Sequence, residues 1–196
     1  MSALVIFRLL WNVILVLGGA FLLYFLVTYP FQRRWLTARI RTEEWLKGRY
    51  FRGGQVSPVE FEKVGAAVEQ LAGSLEKLIS NYRNTGKSRA MKGLRNQAKE
   101  IVISITESVT VVLEHWKSLA GMDLVGSELE ARALRDSRNL ETLHQNLEAF
   151  RASFQRAAVS QTSEALTEAT ERISEVSHFT RLMSESIESG QILESD

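Results

Sequence analysis

The chain has 196 residues, with 24 Lys and Arg against 23 Asp and Glu for a net charge of +1, and no cysteine. That length holds one ordinary domain beside a short terminal element, and the lack of thiols excludes a disulfide framework, a thiolate zinc site and a cysteine nucleophile. The near-neutral total says little until its distribution along the chain is read.

Residues 1–29 read as a transmembrane anchor. From Leu9 to Val27 the run is apolar apart from Asn12 and the small residues Gly18, Gly19 and Ala20. At 1.5 Å per residue about twenty such residues reach about 30 Å, the depth of a bilayer's hydrocarbon core, with every backbone group satisfied inside the helix. A secretory signal has a shorter apolar core and a small-residue cleavage site, neither of which ends this run at Val27, Thr28, Tyr29 and Pro30. Trp11 falls near one expected interface, and Tyr29, Phe31 and Trp35 fall near the other. Asn12 can either hydrogen-bond a neighbouring span or stay hydrated one turn from Arg8. Only Arg8 precedes the span, whereas Arg33, Arg34, Arg39, Arg41, Lys47, Arg49 and Arg52 follow it. The positive-inside rule then places the N-terminus outside an inner (plasma) membrane and the remaining bulk in the cytoplasm.

Residues 30–56 interleave aromatic and basic side chains. Tyr29, Arg33, Arg34, Trp35, Arg39 and Arg41, with Trp11 at the far end, form the expected lipid-interface set, each basic side chain worth about 1 kcal/mol against an anionic surface. The competing reading is a solvated basic linker. Gly53 and Gly54 close the segment as an expected hinge.

Residues 57–120 read as a helical hairpin. Ser57 and Glu60 form a capping box with Pro58 at the first helical position. Phe61, Val64, Val68, Leu71, Leu75, Leu78 and Tyr82 then recur at spacings of three and four through three heptads, an expected coiled-coil seam that needs a partner. Asn84 and Gly86 end that helix. The following Thr85, Gly86, Lys87 and Ser88 imitate a phosphate loop, but its first glycine would fall on Asn81 and no strand precedes it. No acidic residue occurs between Glu76 and Glu100, where Arg83, Lys87, Arg89, Lys92, Arg95 and Lys99 lie: either a solvated face or a basic patch able to meet lipid, nucleic acid or the acidic tail. Met91 through Leu119 continues at helical spacing with one stutter between Ile105 and Val109. Ile101, Ile103 and Ile105 also alternate as a strand would, but a periodicity sustained over about thirty residues favours helix.

Residues 121–196 carry a second capping box, Ser127 and Glu130, and then no glycine or proline until Gly190. One long amphipathic helix of about sixty residues, about 90 Å, is expected, ending in an acidic tail. Leu140, Leu143, Leu147, Phe150 and Phe154 give it a strong stripe. Leu166, Ala169, Ile173, Val176, Met183 and Ile187 give a weaker one, and the polar string from Ser160 to Ser163 marks a possible bend.

No catalytic, cofactor or metal constellation is legible: His115, His144 and His178 are too far apart to place two ligands on adjacent turns. The expectation is an all-α protein with a single N-terminal transmembrane helix followed by a cytoplasmic antiparallel helical bundle or coiled coil. Its partners would be the bilayer, itself or other proteins of a membrane complex, and nucleic acid is not expected. Its role would be that of a non-enzymatic scaffold or assembly subunit, or alternatively a relay moving conformational change from membrane to bundle across the glycine pair.

Overall fold

The computed structural model describes residues 3–48, 59–85, 89–119 and 126–189. Five helices account for nearly all of them: α1 Ala3–Leu46, α2 Val59–Asn84, α3 Met91–Leu119, α4 Gly126–Ser160 and α5 Ser163–Ser189. No strand occurs among the described residues. The contacts divide the chain into two units, Met1–Thr37 and Ala38–Asp196.

The first unit is the apolar part of α1. Among the described residues one helix is long and apolar enough to cross a membrane, and it is this one, with none of its apolar window buried. Val16 and Phe21 are each 71% exposed. α1 does not stop at Pro30, where a separate interfacial segment was expected to begin; it continues through the proline to Leu46. The ring removes one backbone donor. Nearby, the Thr28 hydroxyl donates back to the Tyr24 carbonyl at 2.7 Å.

The second unit is bundle-like. α4 packs on both α2 and α5, and α3 packs on α5, whereas α3 touches α2 and α4 far less. Lys63 reaches Glu130 at 3.9 Å and Ser74 reaches Glu148 at 2.6 Å, so α2 and α4 advance in the same direction. Phe61 lies against Trp116 while Tyr82 lies against Arg95, so α2 and α3 are antiparallel. The α4–α5 pair reverses direction likewise, Arg156 meeting Glu168 across the turn at 2.9 Å. Between hairpins, α2 beside α4 and α3 beside α5 run parallel.

The single long C-terminal helix is corrected to two. Gln161 sits at φ 50°, in the left-handed region that ends helices, and its amide still donates to the Ala157 carbonyl at 2.9 Å. Thr162 then caps α5: its hydroxyl accepts from the Ala165 amide at 3.3 Å. Two residues thus close one helix and open the next. The physical reason is burial. A continuous rod would leave the stripe of Ala169, Ile173, Val176 and Met183 wet, whereas folding back sets it against α4 and α3, where those residues are at most 6% exposed.

The β-branched stretch of α3 is helical for a related reason. Ile101, Ile105, Val109, Val112 and Trp116 fill one face, and Ile103, Thr106, Thr110 and Leu113 are buried on another. The last turns of α1 reach that second face, since Arg41 donates to the Thr110 hydroxyl at 3.2 Å. Burial on two faces makes adjacent isoleucines apolar without any strand.

Candidate functional site

The heptad stripe of α2 is internal. Val64, Val68, Leu71, Leu75 and Leu78 are at most 1% exposed, with Phe61 and Tyr82 half-buried at its ends. The partner this stripe needs is α4 of the same chain, so covering it takes no second copy. At full burial each such side chain contributes about 1.5–3 kcal/mol, and the stripe is a principal source of the bundle's stability.

The expected lipid-interface residues separate. In the first unit Arg33 and Arg34 are exposed, Trp35 is half-buried, and Tyr29 stacks on Phe25 with ring centroids 5.2 Å apart. The side chain of Trp11 lies outside the described residues, as do Gly53 and Gly54. In the second unit Arg39 is half-buried. Arg41 is also half-buried, and its guanidinium donates to the Thr110 hydroxyl at 3.2 Å. Ala38, Thr42 and Trp45, spaced four and three apart, are at most 3% exposed. That spacing is a helical face seated on protein, and it was concealed in the sequence by the basic residues around it.

Two polar clusters that sequence reasoning did not pick out lie inside the bundle. In the first, the Ser74 hydroxyl donates to Glu148 Oε1 at 2.6 Å and stands 3.0 Å from His144 Nδ1. With its proton given to Glu148, the serine oxygen accepts from an Nδ1–H imidazole. Arg151 closes the cluster on Glu148 Oε2. Burial alone would raise the Glu148 carboxyl, but the bonds from Arg151 and Ser74 outweigh it and hold the group below its ordinary range. Ser74 is 2% exposed and bonded to both acid and imidazole, an arrangement that clamps α2 to α4 and gives a substrate no approach to its oxygen.

In the second cluster the Trp116 indole donates to Asp136 Oδ2 at 2.7 Å across α3 and α4, and the Phe61 ring lies 6.3 Å from that of Trp116. Burial pushes Asp136 up against the opposing pull of Trp116, Arg132 and Arg135. Burial, helped by Arg132, pushes the neighbouring His115 down. The signal that could have located both clusters was polar residues interrupting otherwise apolar faces, but their partners lie about 20–70 positions away and no local pattern reveals the pairing.

At the other end of the hairpin, where α2 stops and α3 starts, Arg95 lies over the Tyr82 ring at 4.5 Å and Lys99 at 5.0 Å. Burial alone would raise the Tyr82 phenol; the two cations overcome that and hold it below its usual value. The sequence-level basic patch is therefore a real concentration of positive charge around one aromatic ring. Among the described residues no group of three or more His, Asp or Glu is placed to hold a metal ion. Set against known protein families, characterised proteins and solved structures, the chain gives no match.

Proposed function

We propose that this chain is a membrane-anchored, non-enzymatic scaffold: α1 holds it in a bilayer and the bundle presents polar helix faces to other members of a membrane complex. The observation that carries this reading is the exposed apolar surface of α1, Val13 to Leu17 with Phe21, Leu23 and Phe25, in the same chain as a unit whose own apolar stripes are covered. A soluble protein has no reason to leave that surface wet, whereas a bilayer's hydrocarbon is its natural solvent. The basic collar from Arg33 to Arg52 orients the bundle to the cytoplasmic side of an inner membrane. Because α2 and α4 cover the heptad stripe between them, partners are recognised through outer polar faces; neither a coiled coil between chains nor self-association is needed for folding. Crosslinking in native membranes followed by mass spectrometry tests the role. Recovery of defined neighbours on α4 and α5 supports it, and a chain that crosslinks to nothing but lipid overturns it.

A second reading, relay of motion from membrane to bundle, is favoured by one observation. Ala38, Thr42 and Trp45 at the end of α1 are buried and Arg41 bonds Thr110 of α3, so displacement of that end is felt at α3. Arg41→Met should then change output while leaving membrane retention intact; an unchanged output removes the relay.

A further inference from the structure

α1 runs on beyond its apolar span as one unbroken helix, and its faces there differ. Ala38, Thr42 and Trp45 are buried, whereas Leu36 and Ile40 stand exposed about 160° around the helix from Ala38. Residues four apart on a helix are neighbours, so the two aliphatic side chains form one patch. Lipid does not reach it. A hydrocarbon core of about 30 Å takes about twenty residues, Leu9 to Thr28, and the headgroup layer adds about 5–7 Å, which ends near Arg33. Ile40 lies about 10 Å farther along the axis. The rest of the chain does not cover the patch either, since both side chains are exposed in its presence.

The patch prolongs a line along the whole helix. Leu15, Gly18, Phe25 and Tyr29 lie within about 60° of Ile40 around the axis, all are exposed, and a β-carbon on Gly18 would meet nothing within 4 Å. From Val13 to Phe21 every residue is exposed; past Pro30, Leu36 and Ile40 are the exposed aliphatic residues of α1 among those described. Charge then selects the occupant. Arg39 and Glu44 flank this line on its two sides, about 140° apart, too far around the helix to pair with each other in one chain. In two parallel copies related by a two-fold axis, flanking residues five positions apart meet across the seam, so Arg39 of one copy faces Glu44 of the other, twice. One heptad earlier the same relation joins Gln32 to Thr37, neither of them charged. Lys47 and Glu43 lie 3.9 Å apart on their own helix, and Arg33 sits at headgroup level, where a long basic side chain snorkels to the phosphates.

We propose that two copies of this chain pair in parallel through α1, with Leu36 and Ile40 in the seam and two Arg39–Glu44 ion pairs closing it. The inference rests on the membrane-anchored reading, because copies inserted the same way round can pair only in parallel. The seam lies on the face of α1 opposite Ala38, Thr42 and Trp45, so it joins chains whose bundles are already folded.

The test uses the absence of native cysteine. Leu36→Cys, Ile40→Cys and the control Arg34→Cys, exposed about 120° around the helix from Ile40, are made in the full chain. Membranes are oxidised with copper phenanthroline and run on non-reducing gels, beside a portion extracted with alkaline carbonate. The expected result is a dimer band for L36C and I40C well above that for R34C. In the I40C chain, R39E or E44R turns both ion pairs into repulsions and should weaken pairing about ten-fold, while R39E/E44R together should restore it. A chain retained in the carbonate pellet that does not crosslink at 36 or 40 overturns the pairing alone; a chain released by carbonate overturns the anchor and the pairing with it. Equal crosslinking at 34, crosslinking only to a different protein, or no recovery in R39E/E44R also overturns the proposal.

Discussion

Leu75→Ala tests whether the α2 stripe is covered inside the chain. Leu75 is 0% exposed, with Leu71 and Leu78 a turn away on the same face, equally enclosed. Removing three carbons from such a site forfeits about 2.4 kcal/mol of transfer free energy at about 0.8 kcal/mol per carbon, and the cavity left behind brings the loss to about 2–5 kcal/mol. For a chain of this size each kcal/mol lowers the melting temperature by about 2–4 °C, so the expected fall is about 4–20 °C. Val111→Ala is the control: Val111 is 40% exposed on the outside of α3 and should cost under about 1 kcal/mol. Circular dichroism melts in neutral detergent, run over a wide range of protein concentration, supply the decisive comparison. A stripe buried within one chain gives melting temperatures independent of concentration; one buried between chains gives values that climb with it. The reasoning is refuted if L75A melts within a degree of the parent chain, or if the parent's melting temperature rises with concentration.

Other substitutions probe separate elements. Gln161→Gly relieves a side chain from the left-handed region and should leave helicity unchanged with stability equal or higher by up to about 1 kcal/mol, whereas a continuous helix would lose about that much on the same change. Ser74→Ala removes the hydroxyl that joins α2 to Glu148 and should cost about 1–3 kcal/mol in denaturant melts. Glu148 sits below its ordinary ionisation range, so its contribution is present above the unfolded carboxylate range and disappears as pH falls through the folded value; Glu148→Gln should flatten acid unfolding there. Asp136 has the opposite sign: burial raises it, so stability is lost as pH rises from the unfolded toward the folded value, and Asp136→Asn should remove that slope in a pH series of melts.

Much of this architecture was legible because its causes are local. The exposed apolar run of α1 and the spacing of Val64 to Leu78 needed no knowledge of distant residues. What escaped was set by packing. The break at Gln161 uses no glycine; it forms because folding back buries Ala169, Ile173 and Val176, a gain invisible in the α4 sequence alone. Arg41 reads as interfacial because basic and aromatic neighbours surround it, yet its guanidinium bonds Thr110, nearly seventy positions later. The Ser74–Glu148 and Trp116–Asp136 pairs were hidden for the same reason, since a buried polar residue announces itself only beside its partner.

The account rests on α1 being a membrane helix, and extraction of the full chain from native membranes with alkaline carbonate measures that directly. Retention in the membrane pellet at full length, and release when Leu15 and Val16 are both changed to aspartate, is the predicted outcome. Recovery of the uncut parent chain in the soluble fraction would contradict it.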